Sequence, residues 1–185
     1  MKILNSNAIG ILGGSFDPPH IGHLTISKIS LQLLGLKKIF WVITKKNPFK
    51  DKPFFSLRDR INKSKKLVKT NNKIKIVFLD NKIRSSRTIN IIKHYKKKNK
   101  KIYLIVGSDN LINFHKWTSW KSIVKACVLL VFSRKGFDKK AKKSAIVKYL
   151  KNKNIIFIKN KKINISSSKI RNIIIKKNIN GNISN

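Results

Sequence analysis

The chain has 185 residues, of which 44 are Lys or Arg and six are Asp, giving a formal net charge of +38. Its hydrophobic fraction of 41% is sufficient for one globular domain with a buried core. This fraction also argues against a disordered chain. No apolar run approaches the ~20 residues that cross a bilayer, which argues against a helical membrane protein. We expect one domain over residues 1–180 and a polar tail over 181–185.

The basic excess favours two interpretations. A strongly positive chain attracts phosphate backbones, which suggests a nucleic-acid-binding protein. However, only six of the 44 basic residues are Arg, the residue favoured for bidentate recognition of phosphates and bases, and Glu is absent. Lys, Asn and Ile dominate, as adenine- and thymine-rich codons would produce. We therefore interpret the charge as compositional bias and expect no specific nucleic-acid partner, with selected polyanion binding as the alternative.

Two further features bear on the location of the protein. Its single cysteine, Cys127, cannot form an intramolecular disulfide. The first residues also lack a signal-peptide cleavage pattern. Both features fit a reducing cytoplasm, so we expect a cytoplasmic protein without a membrane partner.

Short apolar runs alternate with amphipathic segments of helical length along the chain. The runs predict strands at Ala8–Leu12, Lys38–Thr44, Ile74–Leu79, Ile102–Val106, Cys127–Phe132 and Ile155–Ile158. The intervening segments predict helices at Ile21–Leu34, Ser56–Lys69, Thr88–Lys97, Ser119–Lys125, Lys139–Leu150 and Ser167–Lys176. Strands that are apolar on both faces and separated by helices indicate a doubly wound parallel α/β sheet. Ligands of such sheets bind beyond the carboxyl ends of the strands.

The segment GGSFDPPHIGHL, residues 13–24, follows the first predicted strand. Gly13 and Gly14 remove the Cβ atoms that would keep a ligand from the backbone. Asp17 is predicted to cap the following helix. His20 and His23 lie three residues apart on its first turn, so both imidazoles project to one side. Because free N–H groups at a helix start also attract anions, the segment predicts a phosphate-binding site.

Other readings of this segment are weaker. It is neither G-x-G-x-x-G nor a P-loop. Two histidines three residues apart could ligate zinc, but no nearby Cys or Glu completes a ligand set, so we expect no metal bound by the protein alone.

The segment resembles the H-x-G-H signature of the nucleotidyltransferase superfamily, including the intervening Gly22. The resemblance implies a Rossmann-like sandwich in which His20 and His23 bind a triphosphate and stabilise the transition state. Three later segments are similar to the bacterial nicotinate-nucleotide adenylyltransferase family: GSDNLINFHKWTSWKSI (107–123), ISSSKIR (165–171) and, in part, SSRTINII (85–92), where Arg87 replaces a Tyr. NPFKDKP (47–53) matches a Pro-rich family loop only loosely.

These matches imply roles for individual residues. For ATP they imply Gly13, Gly14, Ser15, Phe16, His20, His23, Gly107, Asp109, Ser166, Ser167, Ser168 and Arg171. For nicotinate mononucleotide they imply Thr88 and Trp117, of which Trp117 would stack on the pyridine ring. Lys50, and Arg134 after the fifth predicted strand, are further candidates to bind a substrate phosphate. Trp120 is expected in the core. The loops contain few carboxylates, so Mg²⁺ would be held mainly by the ATP phosphates.

The resemblance implies transfer of AMP from ATP to nicotinate mononucleotide, with pyrophosphate as the second product. The alternatives are another small adenylyltransferase, acting on phosphopantetheine or nicotinamide mononucleotide, and a basic nucleic-acid-binding protein. Trp117 and the surrounding SDNLINFHKW argue against phosphopantetheine. A nucleic-acid-binding protein would leave the histidine pair without a role.

Overall fold

The computed structural model describes residues 7–45, 52–99, 101–160 and 165–181, with side chains to residue 176 in the last range. Six strands form one parallel sheet in the order β3-β2-β1-β4-β5-β6. The predicted doubly wound parallel α/β fold is confirmed. The strands are β1 Ala8–Gly14, β2 Lys38–Ile43, β3 Ile74–Val77, β4 Lys101–Gly107, β5 Val128–Phe132 and β6 Ile155–Ile158.

Helices connect the strands and cover the sheet. They are α1 Ile21–Leu34, α2 Leu57–Leu67, α3 Asp80–Ile83, α4 Thr88–Lys96, α5 Ser108–Ile112, α6 Trp120–Ala126, α7 Asp138–Lys142, α8 Ala145–Leu150 and α9 Ser167–Gly181, with a 3-10 turn at Phe114–Lys116. No described helix is both long enough and apolar enough to span a membrane.

The four central strands are largely buried on both faces, whereas the edge strands β3 and β6 are partly exposed. Consecutive residues of the central strands alternate between two hydrophobic clusters. In β4, Ile102 and Leu104 pack into one cluster, whereas Tyr103 and Ile105 pack into the other. The first cluster includes residues of α4, α5, α6 and α8, and the second includes residues of α1 and packs against α2. This burial on both faces is the reason that the apolar runs predicted the strands.

Three predicted elements differ from the structure. The helix predicted at Lys139–Leu150 is two helices, because the backbone of Ser144 is extended and its hydroxyl donates to Ala141 O at 2.6 Å. The third strand ends at Val77 rather than at Leu79, and the short α3 follows. Helix α5 begins directly after β4, in a stretch to which the sequence analysis assigned neither a strand nor a helix.

The strand order reverses direction between β1 and β4, which are adjacent in the sheet. The segment with the two histidines follows β1, and the segment Gly107–Asp109 lies at the end of β4. The carboxyl ends of adjacent parallel strands meet at one edge of the sheet. The topology therefore brings these two segments together at the switch point.

Candidate active site

The two histidines lie side by side at the start of α1. His20 is the N-cap residue, and the ring centroids of His20 and His23 are 3.9 Å apart. The backbone N–H of His20 donates to His23 Nδ1 at 3.2 Å, and the backbone N–H of His23 donates to His20 O at 2.9 Å. Because Nδ1 of His23 accepts this bond, its ring proton resides on Nε2 when the ring is neutral. The two imidazoles thus share one side of the helix start.

A buried aromatic group supports His23. Phe16 stacks on Trp41 with centroids 5.0 Å apart, and the two rings lie 4.8 Å and 5.9 Å from that of His23. Trp41 is fully buried, and its Nε1–H donates to Ser27 Oγ at 2.8 Å. The Ser27 hydroxyl in turn donates to His23 O at 2.8 Å. Trp41 and Ser27 had no predicted role, since a Trp in a buried strand is expected to be core.

His20 is held in its neutral form. Burial, and secondarily the positive charge of Arg134, lower the pKa of His20 from 6.5 to about 4. Its Nδ1 is buried and has no hydrogen-bond partner among the described residues. At neutral pH the ring is therefore a hydrogen-bonding group rather than a cation.

The prediction that Asp17 caps α1 is wrong. Its carboxylate instead accepts the backbone N–H groups of Phe54 and Phe55, each at 2.8 Å. Its oxygens are therefore turned toward the segment before α2 instead of the start of α1, where His20 occupies the cap position. Asp17 joins the loop after β1 to a segment that lies 37 residues further along the chain.

Helix α9 packs its start against the same loop. The hydroxyl of Ser167 donates to Pro18 O at 2.9 Å, and Arg171 Nη1 donates to Asp17 O at 2.6 Å. Arg171 Nη2 also donates to Ser168 Oγ at 3.1 Å. Ser166 caps the helix, because its hydroxyl oxygen accepts the Lys169 N–H at 3.2 Å. The structure therefore brings the predicted serines and arginine next to the histidine segment.

The first turn of α5, directly after β4, carries an ion pair. Asp109 Oδ2 pairs with Arg134 Nη1, and Asp109 Oδ1 has no hydrogen-bond partner among the described residues. The backbone N–H of Arg134 donates to Ser108 Oγ and to Asp138 Oδ1, both at 3.0 Å. Gly107 borders the pair, since a Cβ at this position would overlap Asp109 Oδ1. Asp109 and Arg134 are thus brought together from the ends of neighbouring strands.

The predicted residues for the second substrate lie on other elements. Trp117 follows the 3-10 turn and stacks on the fully buried Phe114, with centroids 4.6 Å apart. Thr88 is the first residue of α4. Trp120, expected in the core, is only partly buried at the edge of the core cluster and packs edge-on against Tyr149. Lys50 lies outside the described residues.

The comparisons with known proteins show the family to which this chain belongs. The cytidylyltransferase-like family model matches residues 11–173. A protein of Pelagibacter ubique (strain HTCC1062), named probable nicotinate-nucleotide adenylyltransferase, is 51% identical over 166 residues, covering 89% of this chain and 92% of that protein. An Aquifex aeolicus (strain VF5) protein of the same name is 34% identical, covering 85% of this chain and 98% of its own.

A solved structure shows the same fold. The nicotinic acid mononucleotide adenylyltransferase of Plasmodium falciparum, complexed with NaAD, superimposes with a TM-score of 0.71 at 22% identity. The match covers 90% of this chain and 83% of the Plasmodium chain. From these sequence matches, the chain is a nucleotidyltransferase of the cytidylyltransferase-like family and belongs, within it, to the nicotinate-nucleotide adenylyltransferases.

Proposed function

We propose that the protein transfers AMP from ATP to nicotinate mononucleotide and releases deamido-NAD and pyrophosphate, in the cytoplasm. The observation that carries the proposal is the pair of imidazoles, with ring centroids 3.9 Å apart, at the start of α1 and at the switch point of the sheet. Relatives that share 51% and 34% of their aligned residues with this chain are named for the same reaction.

The chemistry needs no nucleophile from the protein. A phosphate oxygen of nicotinate mononucleotide attacks the α-phosphorus of ATP, the bond from this phosphorus to the bridging oxygen breaks, and pyrophosphate leaves. The protein aligns the two substrates and stabilises the charge that builds on the phosphate oxygens. No proton has to be removed from a side chain for the attack.

The histidines supply hydrogen-bond donors for this charge. The proton of neutral His23 resides on Nε2, because Nδ1 accepts the backbone N–H of His20. Its ring position is fixed by Phe16 and Trp41. His20 is neutral because burial lowers its pKa to about 4, so each ring offers one N–H to the triphosphate without a proton-transfer step. Donors that are fixed before the reaction lose nothing to reorganisation.

Magnesium would enter with the ATP. The described residues contain no group of three or more His, Cys, Asp or Glu that could hold a metal ion. Both oxygens of Asp17 accept backbone N–H groups, whereas Asp109 Oδ1 is buried without a partner among the described residues. One such oxygen fits a cation that the phosphates and water mainly hold. Asp109 would orient a metal-bound water, and the ion would offset phosphate charge.

The direct test is release of pyrophosphate from ATP in the presence of nicotinate mononucleotide. Nicotinamide mononucleotide and phosphopantetheine serve as competing acceptors. We expect turnover with nicotinate mononucleotide and the appearance of deamido-NAD. Release that is equally fast with a competing acceptor, or absent with all three, would contradict the assignment.

The histidines are tested in the same assay. His20→Ala and His23→Ala are each expected to reduce kcat by on the order of 10²–10³, ~2.7–4 kcal/mol of transition-state stabilisation, with smaller effects on KM. His94→Ala is the control, because His94 lies on α4 and contacts Tyr95. Near-wild-type turnover of His20→Ala would contradict the catalytic role.

A further inference from the structure

Arg60, on α2, is a charged side chain that has no role in the nucleotide site described above. Its relative exposure is 1%. Its guanidinium donates to four backbone carbonyls: Nη1 to Ser15 O at 2.7 Å and Thr44 O at 2.8 Å, Nη2 to Lys45 O at 3.1 Å, and Nε to Phe55 O at 3.2 Å. These acceptors belong to the loop after β1, the end of β2 and the segment before α2. One side chain therefore ties together three segments beside the histidines.

Burying a charged guanidinium costs free energy unless its N–H groups find hydrogen-bond partners. A buried charge requires partners, and burial lowers the pKa of Arg60 while the nearby Asp17 carboxylate raises it. The planar fork of a guanidinium can reach several carbonyls at once, which a lysine ammonium on a flexible stem cannot reproduce. Phe55 is held from both sides, since its N–H donates to Asp17 and its carbonyl accepts from Arg60.

The bond to Ser15 O also fixes the orientation of the next amide. In a planar trans peptide, the carbonyl and the following N–H point in opposite directions. The Ser15 carbonyl faces Arg60, so the Phe16 N–H points away from the guanidinium. Phe16 has a positive φ of 49°, a backbone conformation that residues other than glycine adopt only when their surroundings impose it. Arg60 and the stacking of Phe16 on Trp41 are those surroundings.

We propose that Arg60 is a positioning residue for ATP, because it holds the Ser15–Phe16 peptide so that the Phe16 N–H faces the triphosphate. The inference rests on the proposed function only in taking ATP as the ligand. Arg60 itself touches no substrate and acts through the peptide that it holds.

The test compares Arg60→Lys with wild type in two measurements. One is binding of α,β-methylene ATP, which cannot transfer its AMP, and the other is kcat with both substrates saturating. We expect at least a tenfold loss in affinity for this analogue and at least a tenfold loss in kcat. Val124→Ala is the control for stability alone, since Val124 is buried in the cluster that α2 does not contact.

Three outcomes would overturn the proposal. Arg60→Lys could bind the analogue and turn over within twofold of wild type. Val124→Ala, at a similar loss in Tm, could show the same loss of affinity, which would make the effect one of stability. The third measurement uses wild type, so it does not depend on whether a variant folds. Adding ATP could leave hydrogen exchange of the Phe16 amide unchanged, where we expect at least tenfold slowing.

The acceptor substrate is tested separately. If wild type binds the analogue in an Arg60-dependent way but makes no pyrophosphate with nicotinate mononucleotide, the proposed acceptor is wrong and the role of Arg60 stands. If wild type turns over and Arg60→Lys equals it, the role of Arg60 is wrong and the proposed function stands.

Discussion

Gly22 lies against the imidazole of His20, so closely that a Cβ on Gly22 would come 2.8 Å from Nδ1 and 2.9 Å from Cε1 of that ring. Both distances are too short for a real contact, so any side chain at position 22 has to displace the ring. The glycine between the two histidines is therefore required by the position of His20.

Gly22→Ala is expected to reduce kcat at least tenfold by moving His20. Stability should change less than activity, because the helix preference for Ala over Gly, about 1 kcal/mol in a helix interior, opposes the cost of displacing the ring. Steady-state kinetics and a thermal melt check the two effects separately. Gln32→Ala, an exposed substitution near the end of α1, is the control and should match wild type. Wild-type kcat in Gly22→Ala would contradict this explanation.

The pH dependence of His20 follows from its environment. The folded protein favours the neutral ring, whose pKa is about 4, whereas the unfolded chain titrates near 6.5. The contribution of His20 to the free energy of unfolding is therefore fully present above pH 6.5 and is lost as the pH falls from 6.5 to about 4. An NMR titration of the His20 ring should show a midpoint near pH 4.

The same titration separates the two causes of the shift. Arg134→Met removes the smaller cause, the positive charge, and should raise the pKa of His20. The pKa should stay below 6.5, because burial is the larger cause. A midpoint at 6.5 in wild type would mean that the ring is not buried as described.

The ion pair between Asp109 and Arg134 is expected to contribute little to stability. The side chains are 23% and 42% exposed, and exposed pairs contribute about 0.2–1 kcal/mol. A double-mutant cycle with Asp109→Asn and Arg134→Met should give a coupling in this range that shrinks in 1 M salt. In both variants the loss of activity, expressed as a free energy, should exceed this coupling energy, because the pair borders the histidine site.

Asp59 offers a control for this cycle. It lies on α2, which packs beside β3, whereas Arg134 follows β5. These strands are four positions apart in the sheet, roughly 19 Å at the usual strand spacing. Asp59→Asn and Arg134→Met should therefore be additive. A coupling as large as that of Asp109 would show that the cycle does not report the ion pair.

Substitution of Trp117 should raise KM for the pyridine substrate more than KM for ATP. One face of its ring stacks on Phe114, and we expect the pyridine ring of the substrate to stack on the other face. Stacking of a base on an aromatic ring contributes about 1–3 kcal/mol, so Trp117→Ala should raise KM for nicotinate mononucleotide about tenfold or more, with less change for ATP. Trp120→Phe is the control. Equal effects on both substrates would contradict the stacking role.

The sheet could be predicted because burial on both faces leaves apolar runs that are visible locally. The histidine pair was also visible, since its spacing and the glycines are local. Arg60 was not, because it is one of 44 basic residues and its burial depends on two distant segments, the loop after β1 and the end of β2. The contacts of Asp17 were missed for the same reason, since its acceptor role depends on residues 54 and 55.

The contact between α9 and the first loop joins residues 149 and 154 positions apart, Ser167 with Pro18 and Arg171 with Asp17. A ribosome that has synthesised the first 160 residues has already delivered both imidazoles, but not the helix that contacts the loop before them. Nascent and prematurely terminated chains therefore carry both histidines without the contacts that α9 makes to the loop before them. Because the proposed ATP-binding residues of α9 follow the last strand, we expect nucleotide binding only late in synthesis, when the sheet is already complete.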